Sequence, residues 1–308
     1  MENDVSWQTL RRILQQWAGS SAELEEVRSL GGGSIYNTLV LTARDGLTAV
    51  LKISSHRVNR EVEREAHQLK TLGKLGLPVP KVYNHHLATL DCPHSWLLME
   101  YIDAMDLHEV RDAITPHEYQ VVQEELADFC VLLHNTTAPC YHRDCDADSP
   151  RFRSWPRFFH YIYDSIWRDV REAKILPPKA KRQMAQLHER LDELIAHKDR
   201  PRLIHGDFWS ANILVRQHNH GHWHVAALLD PNLKFAHAES ELAYLELFDT
   251  ITPEFLKRYH KHHDLDDDYL RYRKNLYHTY DLLDHVHLFG NEYVKPFAAT
   301  LDKLHNLL

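Results

Sequence analysis

Apolar residues recur at helical spacing over residues 6–17, where Trp7, Leu10, Leu14 and Trp17 share one face, and this predicts a first helix. The pattern then shortens to runs of strand length. "YNTLVLTA" and "LTAVLKIS" flank Arg44-Asp45-Gly46, and Asp-Gly is a strong hairpin signal because both residues accept the positive φ a tight turn needs. Helical period returns over residues 58–72, with Val58, Val62, Ala66 and Leu69 on the face to be buried, and Gly73 and Gly76 ending it. "VPKVY" and "SWLLMEYI" read as two more strands. From Thr115 the chain turns mainly helical. Thr115-Pro116-His117-Glu118 has capping-box spacing with Pro at the first helical position, and Val122, Leu126, Phe129 and Leu133 follow in period. The helical region is interrupted by "RLIHGDFWSANILV" (residues 202–215) and "VAALLD", which read as a hairpin turning at His220-Gly221.

This order predicts an α+β chain of two lobes: a small antiparallel-sheet lobe over residues 1–102 and a larger helical lobe over 103–308, hinged about a cleft. No internal repeat or low-complexity linker is present. At 308 residues the chain exceeds one minimal core, which suits two lobes. A formal charge of −8 gives no electrostatic grip on nucleic acid. No apolar run approaches membrane-helix length, and "MENDVSW" lacks the basic start of a signal peptide. Four sparse cysteines fit a reduced cytoplasm. The expectation is a cytoplasmic monomer whose partners are small molecules, with neither nucleic acid nor membrane.

The 25 histidines are the compositional oddity. His218, His220, His222 and His224 alternate as a metal tract would, yet no carboxylate or Cys completes a closed ligand set, so a solvated hairpin is expected. Cys140, His142 and Cys145 are better read as part of a polar inter-helix loop than as a metal site. His142-Arg143-Asp144 spells a protein-kinase triplet, but Ser149 stands where its Asn belongs.

Asp207 and Asn212 carry the Asp-x-x-x-x-Asn spacing of a kinase catalytic loop, in which a carboxylate orients the attacking hydroxyl and an amide oxygen holds magnesium. A second magnesium ligand belongs just past the next hairpin, where Asp230 ends "VAALLD". Lys52 in "AVLKIS" resembles the kinase strand lysine that contacts ATP phosphates. Of the helix carboxylates that could hold it, Glu65 lies roughly 55° from the centre of the buried face and Glu61 and Glu63 near 100°, which selects Glu65. "LGGGSIYN" lies upstream of Lys52, and Gly31, Gly32, Gly33 and Ser34 could offer backbone N–H groups to phosphates. The main chain of Glu100, Tyr101 and Ile102 is placed as the hinge that meets adenine.

"HGDFWSAN" resembles the H-G-D-L-W-S-G-N signature of the fructosamine kinase (ketosamine-3-kinase) family, relatives of the aminoglycoside phosphotransferases. "DPNLKFAHAESELAYLELF", "YHTYDLLDHVHLFG" and "EREAHQL" resemble three further stretches of that family, so the likeness runs from about Gly31 to Gly290. It implies a protein-kinase-like fold and ATP- and Mg2+-dependent phosphorylation of a ketosamine sugar hydroxyl. By the same resemblance Asp207 is the catalytic residue, Asn212 and Asp230 are the metal ligands, Lys52 and Glu65 position phosphates, and Trp209 stacks on the sugar. Asp281 and Asp284 replace expected polar positions of the C-terminal helix. With Tyr277 and Leu288 they share a face, which favours an amine-bearing substrate if that face lines the cleft. An aminoglycoside or amino alcohol is the alternative substrate, and a nucleotide-binding pseudokinase the alternative from another class. "LLDPNL" in place of Asp-Phe-Gly disfavours a protein kinase.

Overall fold

The structure, a computed structural model, describes residues 5–30, 37–54, 60–90, 92–144, 149–196, 199–217 and 221–308. Gly31, Gly32, Gly33 and Ser34 lie outside the described residues, as do Val58, Cys145, His218 and His220. The chain begins with α1 (Trp7–Ala18), β1 (Leu24–Ser29), β2 (Asn37–Ala43), β3 (Thr48–Ile53), α2 (Glu61–Lys74), β4 (Val82–His86), β5 (Trp96–Glu100), β6 (Met105–Asp106) and α3 (Leu107–Val110). There follow α4 (Pro116–Asn135), β7 (His142–Arg143), α5 (Trp155–Glu172), α6 (Pro178–Glu189), α7 (Leu191–Leu194), β8 (Arg202–Ile204), β9 (Ile213–Gln217), β10 (Trp223–Leu228) and β11 (Lys234–Ala236). The last helices are α8 (Ala238–Leu247), α9 (Pro253–Tyr259), α10 (Lys274–Phe289), entered through a π-helical turn at Tyr269–Arg273, and α11 (Val294–His305).

Two compact units result: Met1–Val110 with Asn212–Pro231, and Arg111–Ala211 with Asn232–Leu308. In the first, an antiparallel sheet of order β1-β2-β3-β5-β4 carries a helix on each face. Period-2 alternation assigns the sides. Leu39, Leu41, Leu51, Ile53, Trp96 and Leu98 pack with Leu10, Ile13 and Leu14 of α1. Val50, Leu97 and Met99 pack with Val62, Ala66 and Leu69 of α2. Ser6 caps α1 by accepting the Thr9 N–H at 3.1 Å. Trp7, expected on the packed face, is instead 52% exposed in the first turn, and Ile13 takes its place in the core. The β9–β10 hairpin belongs to this unit because β9 pairs with β6, Met105 opposite Val215.

The second unit is mainly helical, with a small β7-β11-β8 sheet. The Thr115 capping box is formed: its hydroxyl accepts the Glu118 N–H at 3.3 Å, and Glu118 accepts the Thr115 N–H at 2.9 Å. The segment expected as a plain loop around His142 holds the short strand β7. His142 is buried with its ring 4.9 Å from that of Phe235, a stacking contact between strands that residue order alone does not reveal.

One buried ion pair ties α8 to α10. Arg273 donates to both oxygens of Glu239, at 2.8 and 2.9 Å, and the Tyr277 hydroxyl donates to the same carboxylate at 2.8 Å. Glu239→Ala would leave the buried Arg273 with Asp266 as a remaining partner at 2.5 Å, so the cost is below the about 3–5 kcal/mol of a fully uncompensated buried charge, about 2–3 kcal/mol. Urea unfolding is therefore expected to show a lower midpoint with an unchanged slope, the shift multiplied by the slope giving that free-energy loss, while Glu239→Gln falls between the two.

Candidate active site

In the first unit, three charged groups expected from the sequence converge. Lys52 lies next to the end of β3, the central strand of the sheet, opposite Thr38 on β2 and Leu97 on β5, and is 8% exposed. Its Nζ donates to Glu65 Oε1 at 2.7 Å and is hydrogen-bonded to Asp230 Oδ1. Burial works against the lysine charge, but the two carboxylates outweigh it and hold its pKa above the ordinary value. Burial pushes the Glu65 carboxyl up to about 7 against the pull of Lys52, and the Asp230 charge adds to the rise. Asp230 itself is exposed and sits at φ +53°, a left-handed conformation that Asp tolerates better than most residues and that sites of function often hold. Asn212 closes a short 3-10 turn, nearly buried, and its carbonyl accepts the Leu229 N–H at 2.8 Å. Glu100 ends β5 with its N–H donated to the Lys81 carbonyl at 2.9 Å; Tyr101 and Ile102 follow outside the strand.

In the second unit, the segment leading to Asp207 is fixed by its buried neighbours. Gly206 adopts φ +79°, and a Cβ there would collide with the Asn232 carbonyl oxygen, so only glycine fits. Its N–H donates to Glu241 Oε1 at 2.7 Å, and the other Glu241 oxygen meets His134 Nε2 at 3.1 Å. Burial opposes the Glu241 charge, yet these hydrogen bonds and the His134 ring hold its pKa below the usual carboxylate value. Asp207 then accepts the Tyr244 hydroxyl at 2.7 Å. Burial and the Asp207 charge raise the Tyr244 pKa far above that of a free phenol, so it stays a donor.

A cavity of about 360 Å³ opens beside Asp207, lined also by Trp209, Lys234, Tyr244, Asp281 and Asp284. Of the α10 face expected from spacing, Asp281, Asp284 and Leu288 line it, while Tyr277 is buried against Glu239. Tyr163 on α5 donates to Asp281 Oδ1 at 3.1 Å, while the buried Oδ2 has no hydrogen-bond partner among the described residues. Burial pushes the Asp281 carboxyl up to about 7; Tyr163 and Lys234 pull it down and the Asp284 charge raises it. For Lys234, burial and the Arg143 charge lower the pKa despite Asp281, Asp284 and Asp207. A cavity with three carboxylates, one lysine and an indole can orient a polyhydroxylated molecule that bears an amine.

Sequence reasoning missed Tyr244, Lys234, Tyr163 and Glu241. The available signal was a Tyr and three Glu on a helix otherwise rich in Ala and Leu, and a Lys opening a short strand three residues past Asp-Pro. Only tertiary contact gives these residues their partners.

The raised Asp281 pKa has a consequence for stability. A carboxyl whose folded pKa exceeds its unfolded value contributes stability below the ordinary carboxylate range, and that contribution is lost as pH rises through about 7. Asp281→Asn does not titrate, so its melting temperature relative to the parent chain is expected to climb between about pH 5 and about pH 8. A gap that stays constant across this range would contradict the burial of this carboxyl.

Known proteins resemble this chain over nearly its whole length. The probable ketoamine kinase YniA of Escherichia coli (strain K12) is 25% identical over 309 residues, covering 97% of this chain and 99% of the relative. The probable ketoamine kinase PM0587 of Pasteurella multocida is 25% identical over 311 residues, covering 98% and 99%. The crystal structure of a fructosamine-3-kinase candidate from Thermobifida fusca YX-ER1 superposes with a TM-score of 0.77 at 22% identity, covering 98% of this chain and 100% of the other. The streptomycin–ATP complex of the aminoglycoside phosphotransferase APH(2")-IIa superposes at 0.65 with 16% identity, covering 98% and 97%, which shows the shared protein-kinase-like fold. The fructosamine kinase profile matches residues 6–307, nearly the whole chain, and the chain belongs to the fructosamine kinase family, phosphotransferases with a sugar hydroxyl as acceptor.

Proposed function

We propose that this chain transfers the γ-phosphoryl group of ATP to a hydroxyl on the third sugar carbon of a ketosamine, which destabilises the adduct and releases the amine. The observation that carries this reading is the Asp207 carboxylate, held by Tyr244 at the wall of a cavity whose other charged groups are Lys234, Asp281 and Asp284.

Asp207 orients the acceptor hydroxyl and takes its proton as the phosphoryl group arrives. Tyr244 fixes the carboxylate rotamer, and the Gly206–Glu241–His134 chain fixes the backbone beneath it. Trp209 offers a flat apolar surface to a sugar ring. The Oδ2 of Asp281, without a hydrogen-bond partner among the described residues, and Asp284, which also lines the cavity, suit the amine of the adduct. The donor set of the first unit fits a magnesium nucleotide: an exposed carboxylate at Asp230, the Asn212 amide, and a lysine braced by Glu65. Asn212 and Asp230 would hold the ion and Lys52 the phosphates, and bound magnesium supplies neutralisation of the triphosphate charge. The cytoplasm suits this chemistry, and a monomer suffices for it. An aminoglycoside or amino alcohol is the second reading, favoured by the same carboxylate pair. A pseudokinase is disfavoured because Lys52, Glu65, Asp207, Asn212 and Asp230 are all retained.

With a fructosyl amine as acceptor, Asp207→Asn is expected to lower kcat by about 10²–10⁴-fold with little change in the KM for ATP. Full phosphotransfer by this variant would overturn the mechanism. Asp284→Asn is expected to raise the acceptor KM roughly tenfold, the worth of about 1.4 kcal/mol, and to leave the KM for ATP unchanged. An unaltered KM for every amine-bearing acceptor would remove Asp284 from substrate recognition.

A further inference from the structure

We propose that His160, Asp164 and His188 form a binding site for a zinc-class divalent transition-metal ion in the second unit. His160 and Asp164 are four residues apart on α5 and therefore share a face. His188, near the end of α6, meets them there, and the three ligand-atom positions lie within 4.8 Å of one another. Asp164 Oδ1 is the focus: it is 2.7 Å from His160 Nδ1 and 3.2 Å from His188 Nε2. Zinc–ligand bonds of about 2.0–2.2 Å in tetrahedral geometry place ligand atoms roughly 3.3–3.5 Å apart, so small side-chain movements bring this triangle to the required size.

The nitrogens turned away from Asp164 supply the independent observation. His160 Nε2 lies 3.0 Å from Asp192 Oδ1, and His188 Nδ1 lies 2.9 Å from the Tyr280 hydroxyl. Metal-binding imidazoles characteristically hand their other N–H to a carboxylate or another oxygen, which fixes the ring and the tautomer that leaves the ligating nitrogen bare. Both rings have such a partner. A phenol can donate or accept, so Tyr280 is compatible with His188 in either tautomer. Two imidazoles and one carboxylate favour zinc, copper, nickel or cobalt over magnesium and calcium, which prefer oxygen alone, and water completes the fourth position.

The other cluster of metal-ligating types, Cys130, His134 and Glu241, is already committed. His134 spends both nitrogens on Tyr259 and Glu241, and the Glu241 oxygens serve His134 and Gly206. The site around Asp164 differs in being reachable, with that side chain 55% exposed. Its placement also gives an ion something to do. Asp164 follows Tyr163, and Tyr280 precedes Asp281, the pair joined by a hydrogen bond at the cavity. An ion here staples α5 to α6 directly behind the wall that holds Asp281.

The test is zinc titration of the full chain against a chromogenic chelator, with thermal unfolding and the visible spectrum of the cobalt-substituted protein as companions. His160→Gln and Asp164→Asn alter partly exposed residues, and Asp164→Asn stands in should the first variant be unstable without metal. Both are expected to bind one equivalent fewer than the parent chain, to lose its cobalt d–d bands and to lose its rise in melting temperature on adding zinc. Tyr280→Phe keeps the ligands and is expected to weaken binding about tenfold. Because other histidines can hold zinc, the difference between chains is the readout. Equal stoichiometry and affinity in the parent and in either variant would overturn the site.

Discussion

The arrangement of the second unit depends on one buried carboxylate. Glu241 is withdrawn from water, which ordinarily costs several kcal/mol, and the cost is offset only because both oxygens are occupied. One oxygen receives the Gly206 N–H, and Gly206 stands where the chain makes a left-handed step that no side chain would survive. The next residue is Asp207. The direction in which the Asp207 carboxylate points is thus set by a glutamate thirty-odd residues downstream and by His134 on a different helix, with Tyr244 in direct contact. The orienting groups are themselves rigid, which is the condition for a carboxylate to act on a hydroxyl without first being reorganised.

A comparable logic governs the first unit. Lys52 is buried in a sheet and keeps its charge because Glu65 and Asp230 surround it. The raised Glu65 pKa is the other side of the same bargain: two carboxylates converge on one cation, and burial makes one of them harder to ionise. Such a cluster is a poor stabiliser compared with apolar packing. Under the proposed function, its residue types are those that would hold a nucleoside triphosphate and its metal ion.

Much of this was legible in the sequence where local rules apply. Helical angle alone chose Glu65 over its neighbours, and the Lys52–Glu65 contact is present. The Thr115 capping box and the Asp45-Gly46 hairpin follow from short-range chemistry, and both formed. The shared face of Asp281 and Asp284 was visible as helical spacing. What stayed hidden depends on contacts between distant residues. Pairing of Met105 with Val215 draws the β9–β10 hairpin into the first unit, which a single division of the chain cannot express. Trp7 fits the apolar period but lies outside the packed face, since periodicity gives a direction and not the extent of the neighbouring surface. Tyr244 and Lys234 acquire meaning only from the cavity they line. The histidines drew attention to the tract at residues 218–224, whereas groups of metal-ligating types among the described residues lie elsewhere, one of them between α5 and α6.

The central claim is the chemical identity of the acceptor, and it is tested most directly by ATP consumption in the presence of magnesium across fructosyl- and ribosyl-amines, aminoglycosides and small amino alcohols, with phosphorus NMR locating the phosphate on the product. The account predicts turnover of a ketosamine with phosphate on the third sugar carbon, followed by release of the amine. Turnover of an aminoglycoside or amino alcohol with no reaction of any ketosamine would contradict it.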